Sequence, residues 1–342
     1  MLYSQLLFLS ANNFTTYLYI NAKIFRTEFK SLTKEVAYFN PEESRLSEFK
    51  KIFRYIKSNG ISKVIFNTAH GLLVRDFILY SFLIFSKCKF YGILHQAEKP
   101  ETSFTQKVIS LRTKNYFVLS DTVMDYAQKY STKGIRVSSF YPIFFPQPKS
   151  LTQIKNNGDF IVCIPGAIEP ERKDYYTLVD LIVKHQDEIG ENIKFELLGN
   201  MRSIQGKKLY DYIFEKRVND YFITHTEYLH DNEFFQRIIN SQIILPLIHP
   251  TVKEFAPFLK TSISGAFSLG FAFQKPFLLH NKFNVIDDFN GISEFYETGE
   301  LISRIIKLSK NTELLASLNN GYSSKQKFSF EEQSEKYIAL LK

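Results

Sequence analysis

Residues 160–180 read Phe-Ile-Val-Cys-Ile-Pro-Gly-Ala-Ile-Glu-Pro-Glu-Arg-Lys-Asp-Tyr-Tyr-Thr-Leu-Val-Asp. The run from Phe160 to Gly166 is apolar throughout rather than alternating, which suits a strand buried on both faces of a parallel sheet. Gly166 lets the backbone turn sharply or approach a ligand closely. A short loop then carries Arg172 and Lys173, and an amphipathic helix is expected over Tyr175–Ile189. Cations directly after such a strand could neutralise a diphosphate. The plainer reading of the same spacing is a basic turn at a helix start.

The same rhythm continues on both sides. Downstream, KFELLGN (194–200), YFITH (221–225) and IILPLI (243–248) read as strands. Gln205–Arg217, Asp231–Asn240 and Ser264–Phe273 read as helices, and Lys275-Pro276 leads into a further strand. Upstream, EVAYFN (35–40), KVIFN (63–67), KFYGILH (89–95) and NYFVLS (115–120) are strands, separated by helices over Glu43–Asn59, Leu72–Lys87 and Ser103–Arg112. Strands and helices that alternate in this way predict two doubly wound, Rossmann-like α/β domains. Between them, Tyr141-Pro-Ile-Phe-Phe-Pro-Gln-Pro148 is a stiff connection, because proline fixes φ and drives its predecessor toward extended geometry. Residues 149–158 complete the linker. The expected division is 1–148, 149–325 and a terminal segment 326–342. Two such domains define a cleft, and ligands of open α/β sheets bind beyond the carboxyl ends of the strands.

At about 150 residues per domain, the 342 residues suit two domains. Lys plus Arg number 43 against 35 Asp plus Glu, a formal +8. Residues 1–150 carry +11 and residues 151–342 carry −3, so the basic excess belongs to the first half. With 44% hydrophobic and 23% charged residues, wholesale disorder is excluded. Cys88 and Cys163, far apart and without CxxC spacing, exclude a disulfide scaffold and a zinc module and fit a reducing cytoplasm. No basic residue precedes the first short apolar run, which argues against a signal peptide. Phe77–Phe85 is about half the ~20 residues that span a bilayer. The chain is expected to be soluble and cytoplasmic, with a basic, Phe- and Tyr-rich first half that could touch the inner membrane surface.

Several further residues stand just after strands or at helix starts. Ser262, Ser264 and Gly265 lie where a helix begins, and free N–H groups there bind anions. An ordinary Ser-capped helix accounts for the same residues. Glu254 could hydrogen-bond a ribose hydroxyl or be a plain surface carboxylate. His95 closes the strand Phe90–Leu94 and could act as a hydrogen-bonding or acid/base group toward a sugar, with His70 a weaker twin. Near the end, Ser329 with Glu332 three residues on forms a capping box. The helix that follows places Tyr337, Ile338 and Leu341 on one face.

Taken together these segments resemble the GT-B superfamily of nucleotide-sugar glycosyltransferases, particularly the retaining bacterial polysaccharide and lipopolysaccharide branch (glycosyl transferases group 1). IPGAIEPERKDYYTLVDL is similar to that family's strand–glycine–Arg–Lys segment, and KFELLGN to the strand–glycine segment after it. SQIILPLIHP resembles the strand before the donor loop, TSISGAFSLGFAFQKPFLL the donor segment, and KFSFEEQSEKYIALL the helix that crosses back to the first domain. The resemblance covers residues 160–342 by motif and the first half by architecture. It implies that Arg172, Lys173 and the helix start at Ser264-Gly265 neutralise the donor diphosphate, that Gly166 admits the phosphates, and that His95 lies near the transferred sugar. Two departures stand out. Relatives carry a glutamate pair before the Gly-x-Pro, but counting back seven and fifteen residues from Pro276 gives Leu269 and Thr261. Glu254 can replace at most one member of that pair. The first domain also lacks the usual glycine-rich loop after its first strand.

The expected activity is metal-independent, hexosyl-type transfer from a UDP- or GDP-sugar to a saccharide or lipid-linked acceptor in cell-surface polysaccharide assembly. No cofactor is implied, and no Asp-x-Asp follows a strand to suggest a metal. A nucleotide-sugar epimerase on the same scaffold is the alternative. A non-catalytic nucleic-acid binder is a third reading, but the chain shows no RNP, helix-turn-helix or zinc pattern. Donor sugar and base, acceptor, linkage, anomeric outcome and oligomeric state stay open.

Overall fold

A computed structural model describes residues 1–84, 87–146 and 158–342. Pro148 and the linker read from residues 149–157 therefore lie outside the described residues. The chain forms two compact units. One comprises Met1–Pro146, Lys260–Ile263 and Lys327–Lys342, and the other Gln147–Leu259 and Ser264–Gln326.

In the first unit β1 (Tyr17–Asn21) and β2 (Glu35–Phe39) pair in parallel, with Tyr17 opposite Glu35. A separate four-stranded parallel sheet runs in the order β3 (Lys63–Phe66), β4 (Lys89–Ile93), β5 (Thr113–Val118) and β6 (Arg136–Ser139). Parallel neighbours need crossover connections. In the four-stranded sheet Leu72–Leu83, Phe104–Ile109 and Asp121–Ala127 supply them, the last two capped by Ser103 and Ser120 side chains, while Arg45–Ser58, capped by Ser44, joins β2 to β3. Phe90 packs with Phe49, Phe53, Phe77 and Ile78. Tyr91, Ile93 and Phe117 pack instead with Phe140 and with the terminal helix Phe330–Leu341 through Tyr337, Ile338 and Leu341. The cap of that helix is as expected: Ser329 Oγ accepts from the Glu332 N–H at 3.2 Å. The chain opens with the helix Leu2–Ala11.

The second unit holds six parallel strands: β7 (Phe160–Ile164), β8 (Ile193–Asn200), β9 (Phe222–His225), β10 (Ile243–Ile244), β11 (Phe277–His280) and β12 (Ser293–Tyr296). Their order is β12-β11-β10-β7-β8-β9. The winding direction reverses between β7 and β10, the place where doubly wound sheets hold ligands. Every residue of β7 is buried, and Val162, Ile164, Phe195 and Leu197 meet Leu178, Val179 and Ile182 of the helix Tyr175–Lys184 in one core.

Three strands escape the sequence pattern. β6 (Arg-Val-Ser-Ser) and β12 (Ser-Glu-Phe-Tyr) are sheet edges, and β1 alternates between buried and half-buried positions. None is covered on both faces, so none needs a continuous apolar run. β10 is shorter than the run 243–248 predicts. Pro246 cannot donate to a ladder, and Leu247 takes φ +58°, so the chain leaves the sheet after Ile244.

Candidate functional site

The point where the strand order reverses is framed by the residues leaving β7 and β10. After β7 the chain turns at Gly166, whose φ of +96° favours glycine, and comes back over itself. Lys173 returns to the same turn. Its ammonium donates to the Pro165 carbonyl at 2.5 Å and reaches the Ala167 carbonyl at 3.4 Å. The residue is only 9% exposed. Burial pushes its pKa down to about 8; Arg172 adds in the same direction and Glu169 opposes it. Tyr175 Oη donates to the Ala167 carbonyl as well, at 3.2 Å. Arg172 behaves differently from its neighbour. It is exposed, donates to Glu169 Oε2 at 3.1 Å, and stands 5.4 Å over the Phe258 ring. The sequence predicts two cations side by side toward a ligand, whereas the structure shows one outward and one folded onto the loop's own carbonyls.

The loop is tied to the end of β10 by residues the sequence reading does not single out. The Asp174 N–H donates to the Leu247 carbonyl at 2.9 Å, at the backbone position with left-handed φ. His249, fully buried, sets Nδ1 2.9 Å from Asp174 Oδ2 and Nε2 2.8 Å from the Tyr296 hydroxyl. Thr251 Oγ1 donates to the same carboxylate oxygen at 2.9 Å, and the Thr177 N–H to the other at 3.4 Å. Burial alone would raise the Asp174 pKa, but hydrogen bonds from His249, Thr177 and Thr251 outweigh it and hold the group down at about 2. Burial pushes the Tyr296 phenol far up, so it remains a donor. The ring of His249 thus bridges the Asp174 carboxylate on its Nδ1 side and the Tyr296 hydroxyl on its Nε2 side. The one sequence signal for His249 is its place directly after the apolar run 243–248, as His95 stands after its own strand.

Glu254 joins the same neighbourhood. The Lys253 N–H donates to the Glu171 carbonyl at 3.2 Å, and half-buried Glu254 opens the turn into the helix Phe255–Lys260. Phe283 touches both Phe255 and Phe267, each with centroids 5.6 Å apart, which links that helix to Gly265–Ala272. Ser264 caps the second helix by accepting from the Ala266 N–H at 3.4 Å, and a side chain at exposed Gly265 would meet open space. Gly166, Arg172, Lys173, Glu254, Ser264 and Gly265 all belong to the second unit.

Ser262 and His95 belong to the first unit. Among the described residues the buried Ser262 Oγ has no hydrogen-bond partner, and the carbonyl of its neighbour Thr261 accepts from the Ala97 N–H at 2.8 Å, two residues beyond His95. His95 is half-buried, with Nε2 2.9 Å from the Asn67 carbonyl. His70 lies edge-on at 6.3 Å from His95, and its pKa is lowered by burial, then by Lys99 and His95. Among the described residues no three His, Cys, Asp or Glu side chains are grouped to hold a metal ion.

No family model matches the sequence, and no curated protein matches it. Solved structures match over nearly its whole length. Anabaena HepE, in complex with UDP, has a TM-score of 0.70 at 14% identity over 99% of this chain and 95% of its own. Sucrose-phosphate synthase of Thermosynechococcus elongatus has 0.67 at 13% identity, over 99% and 91%. A Listeria monocytogenes protein assigned as a UDP-N-acetylglucosamine 2-epimerase has 0.58 at 10%, also over 99% and 91%. At these identities the likeness is one of fold. The chain has the GT-B fold, with two Rossmann-like α/β domains.

Proposed function

We propose that the protein is a metal-independent, hexosyl-type glycosyltransferase that moves a sugar from a nucleoside-diphosphate sugar to a saccharide or lipid-linked acceptor, in bacterial cell-surface polysaccharide assembly. The observation that carries this reading is the Gly166–Lys173 loop at the reversal point of a GT-B sheet, with a positive-φ glycine and a poised ammonium. Lys173 is held by carbonyl oxygens, partners that a diphosphate outcompetes because it carries full charge. Arg172 exchanges an exposed carboxylate for the same anion. These cations, with the N-terminal dipole of the helix that Ser264 caps at Gly265, stabilise the charge that grows on the departing nucleoside diphosphate. Gly166 leaves room for phosphate close to the backbone, and Glu254 takes the ribose. His95 serves the transferred sugar, and Ser262 is assigned to the donor.

Nucleotide release from a panel of UDP- and GDP-sugars, with and without saccharide acceptors, tests this reading. Release from at least one donor, lost in Arg172→Ala, is expected; no binding or hydrolysis of any donor, together with an unchanged Arg172→Ala, overturns it. The likeness to the Listeria protein favours epimerisation as a second reading. Conversion of a free UDP-sugar without acceptor, followed by NMR, would select it.

The same proposal places the enzyme in the cytoplasm, at the inner membrane surface. Helix Leu72–Leu83 exposes Leu79, Phe82 and Leu83, the last at 73%, and Phe104 nearby is 77% exposed. Among the described residues no helix is long and apolar enough to cross a membrane. An apolar patch on a basic first half suits contact with anionic lipid.

A further inference from the structure

Three strand ends of the second unit meet at one imidazole. The loop after β7 brings Asp174, the chain after β10 brings His249, and Tyr296 closes β12. Nδ1 of His249 faces Asp174 Oδ2 and Nε2 faces the Tyr296 hydroxyl, so both ring nitrogens are engaged. His249 is fully buried and Tyr296 is 1% exposed, so neither side chain stands where a ligand touches it. A buried polar chain of this kind holds only while every member is paired, because a lone buried ring nitrogen is costly.

Successive residues of the loop are held in different ways. Lys173 turns its ammonium onto the Pro165 and Ala167 carbonyls. Asp174 is fixed from three elements: its N–H donates to the Leu247 carbonyl, one carboxylate oxygen meets His249 and Thr251, and the other caps the helix Tyr175–Lys184 at Thr177. The Lys173 side chain is thus held by neutral carbonyls, weaker partners than an anion, while the backbone beside it is pinned. A long side chain that changes partners for a ligand binds best from a backbone that stays in place, since ordering the loop at that moment would weaken binding.

We propose that His249, backed by Tyr296, is a positioning residue for bound diphosphate: through Asp174 it keeps the backbone of the Lys173 loop still while the Lys173 ammonium moves from its carbonyl partners to the ligand. That a diphosphate is what Lys173 meets rests on the function proposed above; the hold on the loop does not. Substitution of His249 or Tyr296 then acts on ligand binding through Lys173, a residue that neither of them touches. A linkage that only stabilised the sheet would show no such dependence on Lys173.

The test measures UDP titration, and amide exchange without nucleotide, on the 342-residue chain and its variants, with thermal unfolding to show that each is folded. His249→Asn keeps an amide able to replace the Nδ1 contact with Asp174, whereas the longer His249→Gln reaches toward Tyr296 instead. His249→Gln is expected to weaken UDP binding about tenfold and to speed exchange of the Asp174 N–H about tenfold. His249→Asn should stay within about threefold of the wild type in both. On a Lys173→Met background His249→Gln should change UDP binding by less than about twofold, because the cation it positions is gone. An equal loss in both backgrounds overturns the proposal. So does a folded His249→Gln whose UDP binding and Asp174 exchange match the wild type. If the wild type binds no UDP, the function proposed above falls, and the exchange of the Asp174 N–H decides the hold: faster in His249→Gln supports it, unchanged overturns it. Should His249→Gln not fold, Tyr296→Phe, which removes one hydroxyl, is taken through the same measurements with changes of about threefold expected.

Discussion

His249 and Asp174, 75 residues apart in sequence, share a 2.9 Å hydrogen bond that ties the loop leaving β7 to the end of β10. Because the carboxyl pKa falls from 3.8 to about 2 on folding, the ionised form stabilises the fold. The sign follows: this contribution is complete above about pH 4 and is lost as pH falls through about 2, with a size of about 2 kcal/mol. Asp174→Asn should therefore unfold at lower denaturant than the wild type at pH 7. The gap should close as pH is lowered from 4 to 2; a gap constant over that range would contradict the account.

Lys173 predicts a proton linkage to ligand binding. Its ammonium, at about 8 in the free protein, is desolvated and held by carbonyls. A diphosphate beside it favours the charged form and raises the pKa. Calorimetry of UDP binding at pH 8, repeated in buffers of different ionisation enthalpy, should show uptake of about half a proton. Lys173→Met should bind more weakly and take up none from this group.

Gly166→Ala joins two penalties. The φ of +96° is strained for alanine, and its Cβ would stand 3.1 Å from Lys173 Nζ. A loss of about 1–2 kcal/mol in chemical denaturation is expected, with weaker UDP binding by titration because the ammonium must move.

Tyr337 separates packing from polarity in the first unit. Its ring is stacked on Phe117 at 4.4 Å, and its hydroxyl donates to Gln5 Oε1 at 3.0 Å. Tyr337→Ala should cost about 3–5 kcal/mol by leaving a cavity under the terminal helix. Tyr337→Phe keeps the stack and should cost about 1 kcal/mol. Guanidinium unfolding distinguishes them.

Leu83→Glu with Phe104→Glu should abolish flotation of the protein with phosphatidylglycerol vesicles at low salt while leaving nucleotide release from donor sugar unchanged. Flotation that persists in the double variant would remove this patch as the lipid contact.

Strands buried on both faces can be read from the sequence because nearly every position is apolar: Phe160–Ile164, Lys89–Ile93 past its exposed first residue, and Phe277–His280 up to Leu279. Edge strands such as Ser293–Tyr296 carry no comparable constraint and leave no run to find. Gly166, Arg172 and Lys173 stand together in one loop of sequence, so their gathering needs no tertiary knowledge. Ser262 and Ser264 are only two residues apart, yet the fold assigns them to different units.

Local chemistry was enough to set the alternation of strand and helix, the Ser329 cap and the turn at Gly166, because each depends on backbone preferences and burial within a few residues. Three features needed the folded chain: the inward turn of Lys173, the Asp174–His249–Tyr296 linkage, and the split between β1 and β3. The physical reason is common to all of them. Desolvation and hydrogen-bond pairing depend on which distant segments meet, and no spacing along the chain records those meetings.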